Sequence, residues 1–330
     1  MSMQYDMTLR TRTVPRFEVD ADDPTIAGRW YYRRCQALLS RDFGSPTIST
    51  VQCQLLSVIY LCCASFQNMA HSTLATAVRT ANMLGLHMEP PSDMSKAERE
   101  LRKRIWWSSY TIESKKCMKL GRPFSTSLSS VFCELPVDNH EVASTAGSDF
   151  APLDENVTWL TYNLQHTKMF LAARKTYTAL FDRCLEIHQG KKGCVIYEVP
   201  VALKRCANSF STGILTLQTW AQEVPEILKT ERQGDGVAFS TDLSPLAVEQ
   251  FAPLWLQRQR LLLELLYHNL SMNLHRIFIT YPTTPQLADS SGQSHATSAA
   301  EHAVSLTNIM HQIMTQTDIL AGWHEAFQWQ

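Results

Sequence analysis

Histidines and cysteines are the side chains here best suited to chemistry, and their spacing limits what they can do. Tyr267, His268 and His275 fall on one helix-like run and would form an acid–base group if a cleft gathered them. His268 and His275 are seven residues apart, two turns and about 10 Å along a helix axis, too far for a shared ligand. Cys184 and His188 are an i, i+4 pair, half of a metal site. No second pair stands nearby, and Cys194 lies beyond a Gly-Lys-Lys-Gly turn. His87 follows Gly85 at a helix end, where the dipole favours an imidazole without any ligand role. Asp6, Asp22 and Asp23 have no carboxylate motif around them. The sequence lacks a Gly-x-Ser-x-Gly elbow, a P-loop, a Gly-x-Gly-x-x-Gly turn and a His-Glu-x-x-His helix. The common enzyme classes find no support.

The nine cysteines, at 35, 53, 62, 63, 117, 133, 184, 194 and 206, are scattered among apolar residues. No two have the spacing of two to four residues that begins a zinc finger, so buried reduced thiols are the expectation. With 30 basic and 31 acidic residues the net charge is −1, which argues against a surface devoted to nucleic acid. No apolar h-region opens the chain, and no apolar run approaches the roughly 20 residues needed to span a bilayer. A soluble, intracellular protein is expected.

One segment departs from this neutrality. Between residues 95 and 119 eight Lys or Arg face three Glu, a local balance of +5. A phosphate-binding stripe is one reading. The amphipathic reading is stronger: Leu101, Ile105, Ser108 and Ile112 repeat at helical spacing, widened by Trp106 and Tyr110. The arginines would then cover a core-facing seam with their stems and pair with neighbouring carboxylates. Adjacent residues on a helix point about 100° apart, so Trp106 and Trp107 cannot sandwich a ligand. Each is expected to pack against a different helix.

The elements that must position these residues read as helices throughout. At 330 residues and 45% hydrophobic, with 12 glycines and 14 prolines, the chain can bury a large core. Residues 1–26 form a polar lead-in. A helix follows from Ala27 to Leu39, with Trp30, Tyr31, Arg34, Cys35 and Leu38 on its face. Thr50 is placed to cap the next. Gln54 to Phe66 is apolar nearly all round, and Ser72 to Leu84 carries an apolar face. Gly85 sits where a left-handed residue closes a helix, and Pro90-Pro91 prevents its resumption. Ser95 with Glu98 reads as a capping box opening a helix to about Lys119, stopped by Gly121 and Pro123. Residues 124–156 are loop-like. Helical patterns resume over 157–188, 199–222, 247–279 and 298–320, with linkers at Lys229–Ser244 and Tyr281–Ala296. The fold class is all-α, a multi-helix array in a single large helical domain. Apolar residues from 254 to 277 make the last long run a central core helix.

Leu84-Gly85-Leu86-His87, the basic run with Arg102 and Arg104 into Trp106-Trp107, Tyr110, Leu120-Gly121-Arg122-Pro123 and Leu135-Pro136 together resemble a known signature. They are similar to the middle homology region, or fungal-specific transcription factor domain, of zinc-cluster transcription regulators. Tyr267-His268 and His275-Arg276 resemble a later helix of that family, where Tyr-His and His-Arg-Pro are common. Glu113 stands where the family has Asp, and Ile277 follows the His-Arg pair in place of Pro. The resemblance implies a regulatory domain over 27–330, acting in the nucleus on RNA polymerase II transcription. It implies protein partners of the transcription machinery or a DNA-binding subunit, and a small inducer. Family members carry zinc in a separate N-terminal cluster of six cysteines, and that pattern is absent from this sequence. No cofactor is therefore expected in this chain, and DNA is expected to be reached only indirectly. The aromatic-rich end at 322–330 reads as the start of another helix, so the family pattern is expected to continue past it. The alternative from the residues alone is an all-α small-molecule-binding module or enzyme with an interhelical pocket.

Overall fold

A computed structural model describes residues 28–41, 44–145, 157–188, 200–247, 252–279 and 290–320. The polar lead-in, the residues from 321 onward and Cys194 lie outside them. Among the described residues nine α-helices account for nearly all regular structure, and no strand occurs. These are α1 (Arg29–Leu39), α2 (Ile48–Cys63), α3 (Gln67–Met83), α4 (Lys96–Leu120), α5 (His140–Thr145), α6 (Thr161–His188), α7 (Pro200–Glu223), α8 (Leu254–His275) and α9 (Ser290–Gln316). The all-α expectation holds. The described helices gather into two compact units: 28–117 with 121–137, and 118–120 with 138–319.

In the first unit, α2 packs against α1 and α3. The face of α1 differs from the sequence expectation. Tyr32 stacks on Tyr60 at 5.0 Å, and Gln36 Nε2 donates to Ser57 Oγ at 3.1 Å. Trp30, Tyr31 and Leu38 are exposed. The cap of α2 is Thr47, not Thr50. Thr47 accepts from the Thr50 N–H while Thr50 accepts from the Thr47 N–H, a reciprocal box that needs both hydroxyls. Helix α2 buries Val51, Leu55, Val58 and Cys62 but leaves Leu56 63% exposed, so it is not covered all round. Helix α3 starts before Ser72 and buries Ala70, Leu74, Ala77, Val78 and Ala81.

In the second unit, α8 is the central element, with α6 and α9 against it and α7 against α6 and α9. Leu263, Glu264 and His268 are fully buried along α8. The segment read as a linker at Lys229–Ser244 is instead an ordered loop folded back on itself. Arg232 and Leu246 form an antiparallel bridge, and the Gln233 N–H donates to the Pro245 carbonyl at 2.9 Å. The second supposed linker is cut short, because α9 already begins at Ser290; residues 280–289 lie outside the described set.

Candidate functional site

The first signature cluster assembles around the N-terminal half of α4. Helix α3 ends in a Schellman turn: the Gly85 N–H reaches the Asn82 carbonyl and the Leu86 N–H reaches that of Ala81, both at 3.0 Å. The turn requires φ +69° at Gly85, which a side chain resists. Leu84 gives its carbonyl to Arg102 at 3.4 Å. Leu86 is 1% exposed in the core. His87 accepts from the Phe132 and Cys133 N–H groups through its own carbonyl, at 2.9 and 3.1 Å. Its ring lies 5.9 Å from that of Trp106.

Helix α4 then fastens the strap at 133–137. The Trp107 indole N–H donates to the Glu134 carbonyl at 2.9 Å, and the Glu100 carboxylate accepts from the Val137 N–H at 2.9 Å. Lys103, nearly buried, meets Glu89 at 2.5 Å and Glu134 at 3.6 Å. Burial alone would lower the Lys103 pKa, but the hydrogen bond and charge of Glu89 raise it. Burial, with Glu89 nearby, pushes the Cys133 thiol up to about 12, so it stays protonated.

The C-terminal half of α4 fastens the following turn in the same way. Glu113 is 2% exposed and accepts from the Ser125 N–H at 2.8 Å and the Thr126 N–H at 3.3 Å, and from the Thr126 hydroxyl. Gly121 ends the helix at φ +63°. The Arg122 N–H reaches the Cys117 carbonyl, its guanidinium reaches Asn68, and the Pro123 carbonyl accepts from Cys117 Sγ at 3.4 Å.

Three sequence expectations need correcting here. The buried face of α4 runs through Trp106, Ser109, Tyr110, Glu113 and Cys117, whereas Ser108 of the expected seam is exposed. Ser109 and Ser114 are tolerated inside because their hydroxyls donate to the Ile105 and Tyr110 carbonyls of their own helix. The capping box is half made: Ser95 accepts from the Glu98 N–H, but Glu98 turns to Arg102 at 3.5 Å. The tryptophans meet loop segments: Trp106 faces the turn at His87, and Trp107 the strap. Arg104 is half-buried, and burial lowers its pKa, with Glu100 opposing that shift. Its neighbours Arg102 and Lys103 face protein partners rather than a free phosphate-binding row.

The second cluster lies in the other unit. His268 and His275 on α8 do not share a ligand, but each finds a histidine on α9. His268 Nδ1 and His302 Nδ1 are 2.9 Å apart, one ring donating to the other. The His275 and His295 rings are 5.1 Å apart. His295 and His302 are also seven residues apart, and the pairing runs in opposite chain directions, so α8 and α9 are antiparallel in register. That repeated spacing was readable in the sequence and was the signal for the two partners it missed. His295 Nε2 also lies 2.8 Å from Ser211 Oγ, and Phe210 packs edge-on against both His275 and His295 at 5.0 Å. Burial, with His295 adding to it, lowers His275 to about 4. Burial, with His268 and His275 adding to it, lowers His302 to about 3. Both rings are neutral at physiological pH. Arg276 opens the 3₁₀ turn Arg276–Phe278 that closes α8.

One turn before His268, Glu264 is the anchor of the folded loop. Its carboxylate takes the guanidinium of Arg232, the hydroxyl of Thr230 and, at 3.0 Å, the N–H of Phe239. Burial raises its pKa, yet His268, Arg232 and Thr230 together hold it below the usual carboxylate range. His268 Nε2 is 3.8 Å away, beyond hydrogen-bond reach. Phe239 then stacks its edge on Trp220 and Tyr267. This is a buried polar network without a reactive group aimed at a cleft. Among the described residues no group of three or more His, Cys, Asp or Glu is placed to hold a metal ion. Cys184 faces Cys206 Sγ at 3.8 Å. No described helix is long and apolar enough to cross a membrane.

Comparison with known proteins supplies what this geometry lacks. The model of the fungal specific transcription factor domain matches residues 7–219. Transcription factor asqA of Emericella nidulans is 41% identical over 99% of this chain and 59% of its own length. The terreic acid cluster-specific transcription factor atF of Aspergillus terreus is 34% identical over 100% of this chain and 51% of its own. The oosporein cluster regulator OpS3 of Beauveria bassiana is 26% identical over 90% and 42%, respectively. The chain thus spans about half the length of the curated relatives it matches. No solved structure matches it. The signature that α4 ties together in the first unit lies wholly within the matched residues, and the chain belongs to the fungal specific transcription factor domain family.

Proposed function

We propose that this chain is the regulatory part of a fungal regulator of RNA polymerase II transcription, acting in the nucleus through protein partners and not as an enzyme. The observation that carries the reading is the family match over residues 7–219. Relatives named as cluster-specific factors and cluster regulators support target genes that lie together in one cluster. The chemistry of the helices agrees with a role that leaves DNA to another module. Within the basic run on α4, Arg102 and Lys103 hold the Leu84 carbonyl and the carboxylates of Glu89 and Glu134, and the net charge of −1 gives no sequence-independent pull toward phosphate.

Two measurements test this. Fused to an unrelated DNA-binding domain, the chain is expected to change the output of a reporter carrying that domain's operator several-fold. Output equal to that of the DNA-binding domain alone would overturn the regulatory reading. Unfused, the chain is expected to hold DNA weakly, with no preference for sequence, across a salt series. Tight, sequence-selective retention by the chain alone would show that it reads DNA itself.

A further inference from the structure

Helices α6 and α7 of the second unit run antiparallel, and their contacts step along one seam. The Trp220 indole N–H donates to the Gln165 carbonyl at 3.1 Å. Further along, the Thr176 hydroxyl reaches the Gly213 carbonyl at 2.9 Å. The helices approach closely there: a first side-chain carbon at Gly213 would lie 3.3 Å from the Thr176 methyl. About two turns beyond, Cys184 of α6 and Cys206 of α7 meet with their sulfurs 3.8 Å apart.

Other thiols are differently placed. Cys117 and Cys133 give their S–H groups to the Pro123 and Glu134 carbonyls, and burial holds Cys133 protonated. Cys53 lies beside Cys35, but burial and that neighbour push its pKa up. At 184 and 206 the proton is unequally shared. The hydrogen bond from Cys184 lowers the Cys206 pKa against its burial, and the Arg183 charge adds to the lowering. The same hydrogen bond, with burial, raises Cys184. A thiolate in contact with a second sulfur is the arrangement that thiol oxidation uses.

Exposure divides the roles. Cys206 is 1% exposed, whereas Cys184 is half-buried and meets solvent in part. An oxidant arriving from solution reaches Cys184 first and has Cys206 directly behind it. The sulfurs need to close by less than about 2 Å to bond. An oxidised Cys184 is therefore intercepted by its neighbour before a second oxidant carries it further up the oxidation ladder.

We propose that Cys184 and Cys206 form a redox-modification site, at which a hydroperoxide converts the thiol pair into a disulfide joining α6 to α7. The Cys184 sulfur attacks one peroxide oxygen and the O–O bond breaks. The other oxygen leaves with the thiol proton, as water or an alcohol, and Cys184 becomes a sulfenic acid. The Cys206 sulfur then attacks the Cys184 sulfur: the S–S bond forms, the S–O bond breaks, and the hydroxyl leaves with the Cys206 proton as water. Two electrons pass from the sulfurs to the peroxide, and a thiol reductant reverses the change. This chemistry stands apart from the transcriptional reading; only its use as a signal would rest on that reading.

The test treats the reduced full chain with hydrogen peroxide, alkylates the remaining thiols and maps the tryptic peptides. Trypsin cuts after Arg183, Lys191 and Arg205, so Cys184, Cys194 and Cys206 fall in separate peptides. A 184–206 cross-link is expected as the main product, reversed by dithiothreitol. The pair should be consumed at least about tenfold faster than the Cys133 thiol, which stays protonated. In Cys206→Ala the second sulfur is gone, so dimedone labelling of a Cys184 sulfenic acid should rise several-fold over the wild type. If that variant fails to fold, the wild-type map and rates decide alone. Consumption of Cys184 without a 184–206 cross-link, a dominant cross-link to another cysteine, or loss no faster than that of Cys133 would each overturn the proposal. The reporter experiment reads transcription and can succeed or fail independently of the cross-link.

Discussion

Both units bury polar groups, but they satisfy them in opposite ways. In the first, three buried side chains of α4 hold stretches of backbone: Glu100 takes Val137, Trp107 takes Glu134, and Glu113 takes Ser125 and Thr126. In the second, the buried groups hold one another: Glu264 with Arg232, and His268 with His302. A side chain that fastens a backbone can be changed at the cost of one local contact. A side chain that neutralises another buried side chain cannot, because its loss strands the partner. The first unit has its own charge pair in Lys103 and Glu89, so the units differ in emphasis: backbone fastening leads in the first and mutual pairing in the second.

The largest effect should follow from breaking that mutual dependence. Glu264→Ala leaves Arg232 buried without its counter-ion and is expected to cost about 3–5 kcal/mol in denaturant unfolding. Adding Arg232→Met should recover a substantial part of the loss, since no charge is then stranded. Trp106→Ala in the first unit, a cavity at a 1% exposed site, should cost a similar 3–5 kcal/mol. No partner substitution should rescue it. If Arg232→Met gave Glu264→Ala no recovery, the contrast between the units would collapse.

Acidification should separate the units next. His275 and His302 are neutral in the folded chain, lowered by burial to about 4 and about 3, whereas in the unfolded chain they titrate near 6.5. The unfolded state therefore binds more protons below about pH 6.5, and stability falls as pH drops, being complete only above that value. Between about pH 6.5 and 4.5, before ordinary carboxylates protonate, His275 alone should remove about 2 kcal/mol. Amide exchange should show protection lost in α8 and α9 while α4 stays protected. His275→Phe should flatten the response. Equal loss in both units would refute it.

Much of this was legible before any coordinates. Helical periodicity and turn signals placed α4 and α7 to within about a residue and α6 to within four, because apolar spacing and positive-φ closure are local properties, while the starts of α3 and α8 were missed by five and seven residues. What failed was tertiary. The stretch 229–244 has the Thr, Gly, Asp and Ser content of a linker, yet it is held by Glu264 from α8, a residue more than twenty positions away. The α4 seam was misassigned because Ser109, Glu113 and Ser114 are buried with their hydrogen bonds met internally or by a loop, which hydropathy counts as surface. His295 and His302 carried no expectation from the sequence, although their spacing copies that of His268 and His275.

A smaller effect tests the backbone-fastening side of the comparison. Glu113→Gln keeps the size of the carboxylate but replaces one acceptor oxygen with a donor facing the Ser125 and Thr126 N–H groups. A loss of about 1–2 kcal/mol is expected, with faster amide exchange confined to 124–127. An effect that spread across α4 would mean that Glu113 sustains the core rather than the turn.

The smallest and most discriminating change is Trp107→Phe. The ring that meets Tyr110 at 5.4 Å is largely retained, and only the indole N–H to the Glu134 carbonyl is lost. About 1 kcal/mol is expected, the net value of one hydrogen bond. The strap at 133–137 should gain amide exchange while Trp106 and its neighbours keep theirs. A loss above about 3 kcal/mol would place Trp107 with the mutually dependent residues of the second unit. An unchanged strap would mean that Glu100 and Lys103 hold it alone. Either result would redraw the boundary between a side chain that fastens backbone and one that balances charge.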